Sequence, residues 1–299
     1  MTRGLRTPVF FALLLAGCNQ PFEPNGPVSG TLVVYCLLNP GTDTQYVRLS
    51  TTFGAAPPPE IRDASVTLAG GGTLVPFRDT TVLWPDAAGN LVPTNMYVAS
   101  NAPVRGGLVY RLDVSTPSGL AASATITPLK QPSLALRQGT TPGFFALTRQ
   151  FKTLSGAAIL HFYLDYYVLV NNGWVLRTEE IPSGRSTDAS GNDLLLYPSV
   201  APVTTLAAGG SDVAIDSTLF QITRSRVLAR AVPAPVVYLD VRFVLTQIDD
   251  ILYDYYYLSN GPVDNSSIRL DVPDFTNIQG GYGVFGSRAE VILFLPLAR

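Results

Sequence analysis

The chain has 299 residues, and 22 acidic against 20 basic side chains give it a formal charge of −2. That balance argues against an electrostatic affinity for nucleic acid, which needs a strongly basic surface. Charged residues make up only 14% of the chain, while 26 glycines and 24 prolines interrupt it at short intervals, which suits an all-β protein with many turns better than a helical one.

The chain opens on Arg3 and Arg6, followed by the apolar run Val9 to Leu15 and then Ala16, Gly17 and Cys18. A membrane-spanning helix needs roughly 20 apolar residues, so this run is too short to cross a bilayer and reads as an export signal, residues 1–17, that is removed. Small residues before a cysteine resemble the lipobox of bacterial lipoproteins. That resemblance implies that Cys18 becomes the acylated first residue, holding the protein to a membrane through its N-terminal lipid. Residues 18–30, rich in proline and polar side chains, form an extended tether. Asn19 is not the aspartate that favours inner-membrane retention in enterobacterial lipoproteins, so the same resemblance points to the outer membrane.

Residues 31–127 alternate short apolar runs with turn clusters. Leu32 to Leu38, Gln45 to Thr52, Ala64 to Ala69, Thr73 to Phe77, Met96 to Ser100, Leu108 to Thr116 and Ala121 to Thr127 read as seven strands of an immunoglobulin-like β-sandwich. Cys36 sits within one of these runs as a buried thiol. Prolines 128, 132 and 142 mark a composition shift, and 128–143 is expected to link the sandwich to a second, larger antiparallel β-domain over 144–299. That domain opens with Phe144 to Phe151 and Ala158 to Val170. Asn172 and Gly173 predict a tight hairpin returning along Trp174 to Ile181. After a polar loop at 183–192, further strands are expected at Leu194 to Tyr197, Val213 to Ile215, Leu219 to Thr223 and Val236 to Ile248, the last of them central.

Ile248, Ile251, Leu252 and Tyr255 fall at helical spacing, with Thr246 and Asp249 in a start-box arrangement. They predict one short C-terminal helix over 247–258, the only substantial helix after the leader. Tyrosines cluster here and at Tyr163, Tyr166 and Tyr167. Tyr253, Tyr256 and Tyr257 lie off the apolar stripe and are the candidate ligand-binding residues.

Other candidate chemistry is weaker. Gly281, Gly283 and Gly286 spell G-x-G-x-x-G, but a strand, not the required helix, follows at Val291 to Leu297. Glu179 and Glu180 are adjacent on a strand and point to opposite faces. Asp249, Asp250 and Asp254 lack the alternating ligand loop of a calcium site. His161 is the single histidine and reads as structural or solvated. No catalytic set, metal or cofactor is expected.

The tyrosine-rich helix, the proline-bearing loop after it, and Asn277 and Ile278 followed by glycines, Phe285 and Gly286 resemble the C-terminal signature of domain-of-unknown-function family 4249. The lipobox, the strand TLVVYCLLNP and the segment PPPEIRDASVTL resemble that family's opening. The resemblance implies an outer-membrane-anchored, two-part β protein from bacteria rich in TonB-dependent uptake systems. The expectation is therefore a non-enzymatic, lipid-anchored binding or accessory module of the envelope, with an outer-membrane receptor or a glycan as partner. The alternative is a hydrolase of envelope or extracellular polymers.

Overall fold

A computed structural model describes residues 30–52, 60–85, 90–138, 143–183, 185–187, 193–195, 200–208, 212–258 and 275–297. The leader, Cys18 and nearly all of the tether lie outside these residues. The protein is all-β. Its first half holds β1 (Leu32–Leu38), β2 (Gln45–Thr51), β3 (Ser65–Gly70), β4 (Thr73–Pro76), β5 (Arg78–Pro85), β6 (Leu91–Ala99), β7 (Tyr110–Ser115) and β8 (Ala121–Ile126). All seven expected strands are present, together with β5, whose polar start, Arg78 to Thr81, hides it from a hydrophobicity reading.

Strands β4, β3, β7 and β8 form one sheet in that order. It faces β1 and β2, whose alternate residues Leu32, Val34, Cys36, Leu38, Val47 and Leu49 are buried against Val66, Leu68, Leu112, Val114 and Ile126. This is the expected sandwich, built by period-two alternation on both sheets.

The second half holds β9 (Ser133–Gln138), β10 (Phe144–Gln150), β11 (Ala157–Val170), β12 (Gly173–Ile181), β13 (Arg185–Thr187), β14 (Asp193–Leu195), β15 (Val200–Pro202), α1 (Val203–Ala208), β16 (Asp212–Asp216), α2 (Thr218–Ala231), β17 (Val236–Ile248), α3 (Asp250–Tyr253) and β18 (Tyr282–Pro296). The hairpin forms one residue earlier than expected. Val170 pairs with Gly173, so Asn171 and Asn172, both at positive φ, occupy the turn.

The two halves share one sheet. Its order is β12-β11-β17-β18-β1-β2-β6-β5, with β15 also paired to β11. The last strand, β18, lies antiparallel to β17 on one side and parallel to β1 on the other. Strand β17 is central, as its length predicts. The segment 128–143 is not a bare linker: Leu134 and Leu136 of β9 pack on the second core, and the buried Leu129 N–H donates to Ser287 Oγ at 3.0 Å. The prolines flank this strand and do not interrupt it.

The second core lies on one face of β11, β17 and β18. Phe162, Leu164, Val241, Phe243 and Leu245 are buried there against Leu147, Ile215, Phe220 and Val227. Phe220 and Val227 belong to α2, where a strand was expected at Leu219 to Thr223. Leu219, Phe220, Thr223 and Val227 are buried at helical spacing, and Thr223 Oγ1 donates to Leu219 O, so a helical stripe outweighs the β-branched composition. The chain thus has a longer helix than the C-terminal one.

Candidate functional site

The opposite face of the shared sheet carries a third, smaller core: Ala157, Ile159, Ile248 and Val284, roofed by Leu252, Tyr255 and Tyr256. The roof begins where β17 ends. Asp249 caps α3, its Oδ1 accepting from Leu252 N–H at 2.9 Å, while its Oδ2 accepts from Ser287 N–H at 2.7 Å. The neighbouring Asp250 accepts from Gly156 N–H at 2.6 Å. Thr246, expected to start the helix, is still in β17, where its hydroxyl donates to Glu290. The helical part is therefore shorter than the periodicity predicts. It consists of α3 and a π-helical turn over Asp254–Leu258.

That π turn corrects the reading of the tyrosines. A wider turn brings adjacent side chains inward together, and both Tyr255 and Tyr256 are buried, at 2% and 5% exposure. Tyr256 does not face outward. Its hydroxyl is hydrogen-bonded to that of Tyr35 on β1, and burial raises the pKa of both, Tyr35 to about 12. Tyr253 and Tyr257 are half-buried, stacked on each other at 5.5 Å, and packed on the third core. Of the three candidate ligand-binding residues, one is roof and two are partly so.

Asp249 is 7% exposed, and burial pushes its pKa up to about 7 even though two backbone amides pull it down. Asp250 and Asp254 push the same way. Below about pH 4, the usual range of an aspartate, folded and unfolded chains both hold this proton; between that value and about 7 only the folded chain does. Stability from this group is therefore greatest below about pH 4 and is lost progressively as the pH rises toward about 7. Urea midpoints should fall for the wild type between about pH 4 and 7 and level off above. The slope should flatten in Asp249→Asn, and equal slopes in the two proteins would refute this account.

The glycine-rich motif is a clasp. The Asn277 side chain donates to Phe285 O at 2.7 Å and accepts from Phe285 N–H at 2.9 Å, holding the loop to β18. Gln279 forms an isolated bridge to Ser123 of β8. Gly283, at φ +105°, lies so close to β1 that a Cβ would stand 2.0 Å from Val34 O, and a Cβ on Gly286 would meet Leu252 at 2.6 Å. These glycines serve backbone approach, and no helix follows them to receive a pyrophosphate.

Glu179 and Glu180 do point to opposite faces: Glu179 pairs with Arg230 of α2 at 2.8 Å, Glu180 with His161 at 2.7 Å. Burial raises the Cys36 thiol far above its ordinary range, so it is inert. A further polar group was not foreseen. Arg242 on β17 grips Asp165 on β11 through Nε at 2.9 Å and a second nitrogen at 3.2 Å, lies 4.9 Å above the Tyr163 ring, and shares Asp165 with Thr178. Asp240 is the register partner of Asp165. Its pKa is raised by burial and by the Asp165 charge. The available signal was three charged residues within two long, otherwise apolar strands.

A family model described as domain of unknown function (DUF4249) matches residues 19–291. The chain belongs to the DUF4249 family. The match takes in the whole shared sheet apart from the end of β18, and it includes the Asn277 clasp. No curated protein matches the chain. What sets this DUF4249 protein's architecture is the seating of the glycine-rich loop against β1 and β8, which ties β18 to β1.

Proposed function

We propose that this DUF4249 protein is a lipid-anchored outer-membrane lipoprotein that acts as a binding or accessory module in the cell envelope, working with a TonB-dependent uptake receptor. The observation that carries the reading is the order along the chain. An export leader and Leu15-Ala16-Gly17-Cys18 come first, the family match starts at residue 19, and the folded strands begin at Leu32. A lipid on Cys18 would therefore sit ahead of the fold, with the tether between them. Two or more acyl chains, at about 0.8 kcal/mol per buried CH₂, would make release negligible. Several described carboxylates already have structural partners, which supports binding over hydrolysis: Asp249 caps a helix, Asp165 is held by Arg242, Glu179 pairs with Arg230, and Glu180 is hydrogen-bonded to His161.

Cys18→Ser should abolish incorporation of labelled palmitate and move the protein from the outer-membrane fraction to the soluble one. A wild-type protein whose mature N-terminus is bare by mass spectrometry would overturn the anchoring. Purification from detergent-solubilised membranes should recover a TonB-dependent receptor with the wild type; repeated recovery of the chain alone would overturn the accessory role.

A further inference from the structure

We infer that the outward face of β12, β11, β17 and β18 is a binding platform for a neutral oligosaccharide chain, with Trp174 and Phe294 as stacking planes and Asp165, Arg242 and Asp240 as the hydrogen-bonding centre between them. This rests on the reading of the chain as an envelope binding module, and adds the ligand class and the residues.

Strand register places the parts. Glu180, Tyr163, Arg242 and Phe294 lie side by side across the four strands, as do Thr178, Asp165, Asp240 and Pro296 in the next outward-facing row. Beyond them come Leu176, Tyr167 and Val237, and at the hairpin end Trp174 opposite Leu169. Trp174 is 52% exposed and Phe294 56%, and Leu176, Val237 and Ile292 are also open to solvent. The two rings occupy opposite corners, six residues or about 20 Å apart along the strands and three strand spacings, about 14 Å, across. A single sugar cannot touch both. A chain of sugars can.

Charge and hydrogen bonding select the ligand class. Among the described residues, each arginine facing this side has an anion beside it, Arg242 with Asp165 and Arg288 with Glu290, and the His161 ring is hydrogen-bonded to Glu180. A charged ligand would have to displace one of these partners, whereas a neutral polyhydroxyl ligand meets fixed donors and acceptors without doing so. One acceptor is left over. Asp240 Oδ1 is shielded from water and receives no donor from the fold, while its carboxyl abuts that of Asp165, a costly arrangement that a hydroxyl donated to Oδ1 would relieve. Exposed aromatic planes flanking such a centre suit the C–H faces of sugar rings as well as their hydroxyl rims.

The test is affinity electrophoresis of the full-length, detergent-solubilised protein in native gels containing dextran, galactomannan or xyloglucan. At least one polysaccharide should retard the wild type. Trp174→Ala with Phe294→Ala, both at exposed positions, should weaken the apparent affinity at least about tenfold, and Asp240→Ala, which removes the acceptor, should weaken it with the fold intact by circular dichroism. Leu74→Ser, exposed on the remote strand β4, should change nothing. No retardation by any of the three, or retardation indifferent to Trp174 and Phe294, overturns the platform. If the receptor is captured by the wild type and lost from the double variant, the face belongs to a protein: the saccharide assignment then fails while the module reading stands. Capture of neither receptor nor polysaccharide sinks both.

Discussion

Gly283→Ala is expected to destabilise the protein by more than about 4 kcal/mol, enough to remove most of the folded population. At φ +105° the position already disfavours any side chain, and the added Cβ would stand 2.0 Å from Val34 O, well inside contact distance. Relief would require β18 to move away from β1, and among the described residues this is the strand ladder that joins the sandwich to the second half. Gly119→Ala is the control. Its φ is +88°, but nothing lies within 4 Å of the added atom, so it should cost only the local strain, about 1 kcal/mol. The difference in urea unfolding free energy between the two variants measures the contact itself, and equal losses would refute it.

Asp249→Ala should cost on the order of 3 kcal/mol. It removes the cap of α3 and leaves the buried amides of Leu252 and Ser287 without acceptors. Because Leu252, Tyr255 and Tyr256 roof the third core, losing the cap should also open the turn to limited proteolysis near Tyr253 before global unfolding. A variant within 1 kcal/mol of the wild type, equally resistant to protease, would show that the roof holds without its cap.

Strands were legible in the sequence wherever one face alone is buried. Gln45 to Thr51 alternates in burial as its residue pattern predicts, and the long apolar runs at 157–170 and 236–248 are interior strands of the sheet, buried on both faces only where they meet the third core, at Ala157 to Leu160 and Leu245 to Ile248. The sharing of one sheet by both halves was not legible, because parallel pairing between β1 and β18 leaves no local signal in either strand. Two readings failed for physical reasons. Leu219 to Thr223 carries β-branched residues, yet its tertiary neighbours bury a helical stripe. Tyr256 was placed outward on a 3.6-residue period, and the π turn changes that period at the decisive point. The family signature was readable as a pattern, but its purpose emerged only from the Asn277 amide seated on Phe285.

Pairing the opening strand with the closing one has a cost in time. Val33 finds Tyr282 only after the long stretch of chain between them has been made, so a chain emerging amino end first cannot complete its main sheet until β18 arrives. Such distant closure slows assembly and leaves the edge of β1 bare meanwhile, which exposes the chain to self-association during synthesis.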